Sequence, residues 1–333
     1  MTKAISILIG LILFSGTWGT SFGQKAPFAP SLLVKIDNDY FNINIRGTDR
    51  YYSDGFFLGF SSQVRKRNIL DRLMLTASKD AFRVRYLTVS QQLYTPHHIG
   101  NPNLQVGDYP YAALLALRYG NRTIMDDYAF YSQLTLGVQG PIALGEEVQK
   151  PLHQKVFHSN IPLGWKYQLP NDIAICYTFN FQKRLYDTQR IELNGYGEVN
   201  LGTLYNNLSA GAIFKVGLFS SSYAPQAWLF ARDRQQVKRQ IYLCLTPYIK
   251  MVQSNSLLEG GPLKTAGGAW GTPTAHYYHI DRSELERLIF GYSWMVKYVG
   301  THVSVAYHQN FYSAEIKGLN GHMYGTIAFE VKL

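Results

Sequence analysis

The chain has 333 residues, of which 46% are hydrophobic, 14% aromatic and only 16% charged, with a formal net charge of +10. This composition excludes a disordered or low-complexity polymer, because the chain has enough apolar surface to bury on folding. The 25 tyrosines and 29 glycines favour strands and turns over helices. We therefore expect a folded protein that is rich in β-structure.

The N-terminus has the pattern of a secretory signal peptide. Lys3 precedes an apolar run at 4–14, and small side chains suited to a cleavage site lie just before Gln24. The run is too short to span a bilayer. We expect a signal peptide at residues 1–23 and a single exported, basic domain at residues 24–333.

The rest of the chain shows apolar side chains at every second position. In the stretch from Ile173 to Gln182, apolar residues occupy one face and smaller or polar residues the other, which is typical of a strand. No stretch after residue 23 has the apolar length of a transmembrane helix. Strands are predicted at 31–42, 52–64, 83–94, 110–119, 127–138, 172–185, 193–204, 207–217, 239–252, 287–298, 301–312 and 320–333.

The number and length of these strands suit a membrane barrel. Twelve is an even number, and roughly 9–11 residues are enough for a tilted strand to cross a bilayer. Aromatic pairs such as Tyr51-Tyr52 and Phe311-Tyr312 stand at strand ends, where barrels place interfacial girdles. A secreted β-sandwich is the alternative. The pattern favours an all-β fold, a twelve-stranded antiparallel transmembrane outer-membrane β-barrel.

The first predicted hairpin gathers polar side chains at one rim. A turn centred near residue 46 pairs residues whose numbers sum to about 92, so Asp39 lies opposite Ser53 and Asn38 opposite Asp54. Alternation places Asp39 and Ser53 on the lumen side. Asn38 would then point outward, so it must either stand above the hydrocarbon zone or be re-aimed by a bulge. The alternative to a functional cluster is that these side chains are hydrated rim groups that only satisfy the hydrogen bonds at the end of the hairpin.

The connection after the fifth predicted strand returns to the same end of the barrel. Pro151 would start or kink a short amphipathic helix over the barrel mouth, in an extracellular loop. The apolar residues near helical spacing are Ile142, Leu144, Val148, Leu152 and Val156. This connection brings His153 to the rim that carries Asn38, Asp39 and Ser53.

These residue types together suggest ester hydrolysis. A histidine can act as a general base at neutral pH, and a carboxylate with amide and carbonyl oxygens can hold a hard cation such as calcium. An exposed, inert ring is the alternative for a loop histidine. The sequence lacks the nucleophile elbow, zinc, paired-cysteine, dinucleotide and phosphate-loop motifs of soluble enzymes, so readings as a soluble hydrolase, oxidoreductase or kinase lose their main support.

An ordered set of motifs resembles the outer-membrane lipid A 3′-O-deacylase family. The motifs are Asp37-Asn38-Asp39-Tyr40-Phe41, Thr48-Asp49-Arg50-Tyr51-Tyr52-Ser53-Asp54-Gly55, Gln92-Leu93-Tyr94-Thr95-Pro96, Asp108-Tyr109-Pro110-Tyr111-Ala112, Gly145-Glu146-Glu147-Val148-Gln149 ahead of His153, and Gly164-Trp165 with Gln168-Leu169. They occur in family order across most of the mature chain.

The resemblance implies a twelve-stranded barrel in the bacterial outer membrane with an active site that faces the cell exterior. It also implies a calcium-dependent esterase that removes the 3′-O-linked acyloxyacyl chain of lipid A. By this resemblance His153, Ser53, Asn38 and Asp39 are catalytic. His153 would activate water, and calcium held near Asp39 would stabilise the oxyanion. Ser53 as a nucleophile remains an alternative.

The expected partners follow from the same resemblance. They are lipid A within lipopolysaccharide and the other outer-membrane lipids, with no nucleic acid, and a monomer is the expected state. Two rival functions stay open at this point: a passive outer-membrane pore or structural barrel, and a phospholipase acting on glycerophospholipids.

Overall fold

Twelve antiparallel strands close into a barrel in which each strand pairs with its neighbours in sequence and the first pairs with the last. The computed structural model describes residues 29–43, 50–76, 81–223, 239–264 and 277–333. The strands are β1 Ser31–Asn38, β2 Tyr51–Gln63, β3 Phe82–Thr95, β4 Ala112–Ile124, β5 Tyr128–Gln139, β6 Asp172–Asp187, β7 Ile191–Gly202, β8 Tyr205–Leu218, β9 Gln240–Asn255, β10 Leu288–Val299, β11 Val303–Tyr312 and β12 His322–Lys332. The predicted barrel is confirmed, and each strand overlaps its predicted segment. The predicted signal peptide lies outside the described residues.

The two helices of the described residues are α1, Gly145–Leu152, and α2, Ser256–Glu259. Single 3₁₀ turns occur at Asp39–Phe41, Leu70–Arg72, Pro141–Ala143, Trp165–Tyr167 and Arg282–Glu284. No helix among the described residues is both long and apolar enough to cross a membrane.

The barrel has two unlike ends. We call the end where β1 begins and β12 stops the terminal end; it carries the connections 64–81, 125–127, 188–190, 219–239 and 300–302. The other end, the distal end, carries the connections 39–50, 96–111, 140–171, 203–204, 256–287 and 313–321. The residues singled out in the sequence therefore all belong to the distal end.

The register of the first hairpin follows the predicted pairing. β1 and β2 pair from Ser31 with Ser61 to Asn38 with Asp54, while the turn predicted near residue 46 lies outside the described residues. The strand ends four residues earlier than predicted, because Asp39–Phe41 forms a 3₁₀ turn. Asn38 caps that turn by accepting a hydrogen bond from the Tyr40 amide at 2.7 Å. A short polar side chain competes in this way with the strand ladder.

The wall has an apolar outer face and a polar inner face. Ile36, Phe56 and Leu117 are 38%, 44% and 44% exposed on the outside. Charged and aromatic side chains line a cavity of about 480 Å³ in the lumen, with Lys35 and Asp37 among them. The alternation expected of a membrane barrel is therefore present.

Candidate active site at the distal end

The end of the first hairpin buries a set of polar side chains. Asn38 and Asp39 are 5% and 1% exposed. The Asn38 amide nitrogen donates to Oδ1 of Asp54 directly opposite, and the Arg50 amide donates to Oδ2 of Asp39 at 2.9 Å. The bond from the Arg50 amide orients the carboxylate of Asp39, and the bond between Asn38 and Asp54 closes the end of the paired strands.

Ser53 lies at a bulge in β2. The register between β2 and β3 shifts between Tyr52 and Asp54, which leaves Ser53 as the extra residue. Bulges re-aim side chains at barrel rims. The Ser53 side chain is fully buried, and its hydroxyl donates to the Leu93 carbonyl oxygen at 3.3 Å. A bulge that re-aims Asn38 would lie on β1, whereas the observed bulge lies on the partner strand β2.

Backbone strain marks the start of β2. Tyr51 has φ 65°, a left-handed conformation that aromatic residues rarely adopt. The ring is buried and stacks on Tyr109, with ring centroids 4.2 Å apart. Packing against the 96–111 connection thus stabilises the strained backbone of Tyr51, which lies two positions before Ser53.

The predicted helix in the loop after β5 is present as α1, and it packs through a stripe different from its apolar residues. Gly145, Gln149 and His153 are buried, whereas Ile142 and Leu144 are 43% and 42% exposed. Residues four apart share one helix face. The stripe of Gly145, Gln149 and His153 therefore faces the barrel, whereas Ile142 and Leu144, just before the helix, are exposed and Val148 and Leu152 are half-buried.

A glycine allows α1 to lie close to the wall. A Cβ at Gly145 would come within 2.5 Å of the Trp165 ring and 2.7 Å of the Ala113 Cβ. Trp165 belongs to a buried cluster that includes Leu93 and Tyr111. This cluster sets the distance at which α1 crosses the ends of β3 and β4.

Pro151 lies inside the last turn of α1 rather than at its start. Proline has no amide hydrogen for the carbonyl four residues earlier, so it disrupts the regular helix. The chain continues as a π-helical turn from His153 to Phe157. His153 stands at the junction, and single π turns of this kind are frequent at functional sites.

Gln149 links α1 to the first hairpin. The Trp165 indole nitrogen donates to Oε1 of Gln149 at 3.0 Å, and Nε2 of Gln149 donates to the Ser53 hydroxyl at 3.2 Å. Gln149 is the last residue of the motif at 145–149, which by itself indicates no role for this side chain. The usable signal was its spacing, since a residue four positions before His153 shares its helix face.

The His153 ring is buried, and backbone geometry orients it. Its Nδ1 lies 2.7 Å from the Asn160 carbonyl oxygen and 3.0 Å from the Ser159 hydroxyl. Because a carbonyl oxygen only accepts hydrogen bonds, we infer that the proton is on Nδ1 and the lone pair on Nε2. This is the tautomer that a general base requires.

The four residues singled out in the sequence thus occupy the distal end. Ser53 contacts α1 through Gln149, and His153 follows one helical turn later on the same face. Asn38 and Asp39 lie at the end of the strand paired with β2. Their catalytic roles stay predictions.

The donor set around Asp39 has the right chemistry for calcium but few side-chain ligands. Carboxylate oxygens such as those of Asp39 are ligands that calcium prefers, in sets of about 6–8 oxygens. Within the described ranges, no three His, Cys, Asp or Glu side chains group to hold a metal. The protein would therefore supply one or two carboxylates, with water and substrate oxygens completing the shell.

His97, in the 96–111 connection, contacts Arg50 next to the site. Burial lowers the pKa of His97, and the nearby Arg50 guanidinium and His98 lower it further. Nη1 of Arg50 lies 3.1 Å from Nδ1 of His97, which in the neutral ring can accept its hydrogen bond. Arg50, whose amide donates to Asp39, is thereby also tied to the 96–111 connection.

Comparison with solved structures shows a protein with the same fold. LpxR from Salmonella typhimurium superposes with a TM-score of 0.70 at 17% identity, covering 91% of this chain and 100% of that one. The beta domain of the Bordetella autotransporter BrkA (TM-score 0.39, 7% identity, 92% and 99% covered) and the translocator domain of NalP from Neisseria meningitidis (0.40, 8%, 100% and 97%) are more distant. No curated protein matches the sequence.

The family comparison covers almost the entire sequence. A model of the family described as outer membrane protein LpxR matches residues 7–333. The match includes β1, β2 and the α1 region, so it spans every part of the candidate site. The chain therefore belongs to the outer membrane protein LpxR family.

Proposed function

We propose that the protein is a calcium-dependent lipid A 3′-O-deacylase, a carboxylic ester hydrolase with its active site on the outer face of the outer membrane. Family membership supports an outer-membrane enzyme related to lipid A. The observation that carries the proposal is the placement of His153, held in the base tautomer on a helix that Gln149 fastens to Ser53. In this arrangement the proposed base, His153, and the polar groups of the first hairpin act on the same substrate.

In the proposed reaction, Nε2 of His153 takes a proton from water as the water oxygen attacks the ester carbonyl carbon. The bond between that carbon and the sugar 3′ oxygen then breaks, and His153 returns the proton to the leaving oxygen. The products are a free acyloxyacyl acid and a 3′-hydroxyl on lipid A. One histidine therefore acts first as base and then as acid.

Ser53 and Asn38 hold the reacting groups in place. The Ser53 proton is directed to the Leu93 carbonyl, and a Ser53 lone pair accepts from Gln149. Because that proton does not point to a base, the arrangement favours water over Ser53 as the nucleophile. Asn38 fixes the 3₁₀ turn that presents Asp39.

Asp39 is the proposed calcium ligand, with Asp54 as a second carboxylate on the same hairpin. When bound, calcium supplies positive charge that stabilises an oxyanion developing on the ester. The chain's own contribution is to keep Asp39 buried and oriented by the Arg50 amide.

Exposed apolar side chains beside the site suit a lipid substrate. Tyr40 and Ile43, which follow Asp39, are 71% and 56% exposed, and Val156, which follows His153, is 60% exposed. Acyl chains can pack against such a rim while the ester reaches the buried polar groups. A passive pore or structural barrel has no need of this arrangement.

The test uses the purified protein in detergent micelles with lipid A and, separately, with glycerophospholipid, and mass spectrometry of the products. The proposal expects release of the 3′-linked acyl group from lipid A only, and loss of this activity on chelation with recovery on added calcium. Fatty acid release from phospholipid alone would favour the phospholipase. No release from either would favour the pore, and full activity with chelator would remove calcium from the mechanism.

A further inference from the structure

The connection between β2 and β3 folds against the outer wall of the barrel. Its residue Asp71 contacts Tyr119 and Asn121 on β4. These two share a face with Leu117, which is 44% exposed, whereas Arg118 lines the lumen. The described part of this connection, which we call the 64–76 segment, therefore lies on the membrane side of the wall.

Buried hydrogen bonds fasten the segment in place. Asp71 is fully buried and accepts from the Tyr119 hydroxyl at 2.6 Å, from Nδ2 of Asn121 at 2.9 Å and from Arg85. Further along, the Leu73 carbonyl oxygen accepts from the Tyr177 hydroxyl on β6 at 2.9 Å. The segment therefore crosses the outer faces of β4 and β5 as a fixed platform.

The platform turns apolar side chains away from the wall. Ile69, Leu70, Leu73 and Leu75 are 76%, 40%, 55% and 52% exposed. Met74, between two of them, is buried against the barrel. A protein in water gains nothing by exposing four such side chains on one short segment, but a lipid bilayer accepts them.

Positive charge accompanies these apolar residues. Arg65, Lys66, Arg67 and Arg72 are all exposed. Asp71 is the only acidic residue in the sequence of the segment, and its carboxylate pairs with Arg85 of the wall. The exposed side chains of the segment thus carry four positive charges beside four apolar groups, a combination typical of sites that bind anionic membrane surfaces.

We propose that the 64–76 segment is a binding site for anionic phospholipid at the terminal end of the barrel, with its apolar side chains among the acyl chains and its cations at the headgroup phosphates. If the candidate active site faces the cell exterior, as the proposed function has it, this site lies in the periplasmic leaflet. The lipid contact itself does not depend on that orientation or on catalysis.

The first test measures depth in the bilayer. Cys176 and Cys244, both buried and unpaired, are replaced by alanine, and a nitroxide is attached at Ile69→Cys or Leu73→Cys. Gln189→Cys, exposed in the 188–190 turn at the same end, is the matched control. In vesicles of phosphatidylcholine and phosphatidylglycerol, oxygen should collide with labels 69 and 73 more often than a water-soluble nickel complex does, with the reverse at 189. Equal nickel access at all three positions would overturn the proposal, as would spin–spin broadening at 69 and 73, which indicates a second copy of the chain on this surface.

The second test measures the charge preference. Native mass spectrometry counts the phosphatidylglycerol retained in preference to phosphatidylcholine by the wild type, by Arg65→Gln/Lys66→Gln, and by Lys183→Gln/Arg190→Gln. Since each surface cation contributes about 1 kcal/mol toward an anionic lipid surface, the loss of two cations should lower the preference of the first variant about thirtyfold. The control, also two exposed cations at the terminal end, should retain it. Equal retention by both variants would contradict an anionic site in the segment.

Discussion

At the scale of single residues, very few side chains join the two parts of the candidate site, the helix α1 and the first hairpin. Gln149 has its carbonyl oxygen on Trp165 and its amide on Ser53, so one side chain sets the distance between α1 and β2. The backbone carbonyl oxygen of Asn160 orients the ring of His153 by accepting a hydrogen bond from Nδ1. The proposed base therefore depends on Gln149 and Asn160 for its position and orientation.

Substitution of Ser53 separates the two proposed nucleophiles. If water attacks, Ser53→Ala removes one positioning hydrogen bond and should lower the deacylation rate about tenfold. His153→Ala should lower it about 10²–10⁴-fold. The measurement is the initial rate of 3′-acyl release by purified protein. A Ser53→Ala rate as low as that of His153→Ala, together with a trapped acyl-enzyme in the wild type, would favour Ser53 as nucleophile.

Asp71 provides a pH-dependent test of the wall-packed segment. Burial raises the pKa of its carboxyl, but hydrogen bonds from Arg85, Tyr119 and Asn68 outweigh burial and lower the pKa to about 2. The folded value is below the unfolded value of about 3.9, so the stabilisation is complete above that pH and is lost as pH falls toward 2.

We therefore expect Asp71→Asn to lower the free energy of unfolding near pH 7 by about 3 kcal/mol or more, since Arg85 loses a buried partner. The difference from the wild type should shrink as the pH approaches 2. Denaturant unfolding in detergent across this pH range measures it. Asp127→Asn is the control, because Asp127 is exposed in its pair with Arg184 and such pairs contribute about 1 kcal/mol or less. An equal loss in both variants, or a loss independent of pH, would refute the role of Asp71.

At the scale of elements, the position of α1 relative to the wall decides whether His153 reaches the hairpin. The helix is short, contains a proline, and buries a stripe of one glycine, one glutamine and one histidine. Little of its stability comes from apolar burial. The close contact at Gly145 and the hydrogen bonds of Gln149 hold the helix against the wall.

An added methyl group at Gly145 tests this contact. Gly145→Ala forces the Trp165 ring or the helix to move, and we expect a loss of about 1–3 kcal/mol in unfolding free energy together with a fall in kcat. Gly100→Ala is the matched control at the same end, since its nearest neighbour, the Asn160 Cβ, would be 4.0 Å away. Deacylation rates and thermal unfolding of both variants check it. Normal kcat in Gly145→Ala would show that the approach of α1 does not matter.

The same elements show what could be predicted from sequence. Alternation and a short loop were enough to give the register of β1 with β2, and apolar spacing was enough to indicate α1. The 3₁₀ turn at Asp39, the bulge at Ser53 and the buried stripe of α1 depend on local hydrogen bonds that compete with the regular pattern. The alternation of apolar and polar residues gives no indication that Tyr119 and Asn121, on the outer face of β4, donate hydrogen bonds to Asp71 of the connection between β2 and β3.

At the scale of the whole molecule, closure of the barrel brings the two ends of the chain together. β1 pairs with β12 along its whole length, and the Leu333 amide donates to the Pro30 carbonyl at 2.9 Å. No strand of the described barrel is left with an open edge, which is the condition for crossing lipid with strands. The hairpin that carries the candidate site is therefore also part of the seam that closes the barrel.

The assignment of wall faces has a direct test on β9. Leu245 is 40% exposed on the outer face, so Leu245→Arg should cost about 2–4 kcal/mol if it lies near the bilayer midplane. Thr246→Lys, one residue on and on the face shared with Tyr248 and Lys250 of the lumen, should cost less. Reversible unfolding in lipid vesicles compares the two. A larger loss for Thr246→Lys would reverse the assignment of faces.

The central claim is that His153 removes an acyl chain from lipid A at the distal mouth of this barrel. Mass spectrometry of lipid A from cells that express the wild type, His153→Ala or His158→Ala tests it most directly, because His158 is an exposed histidine of the same loop. We predict loss of the 3′-linked acyloxyacyl mass with the wild type and His158→Ala, and intact lipid A with His153→Ala. Intact lipid A in all three, or deacylated lipid A with His153→Ala at comparable protein levels, would contradict the account.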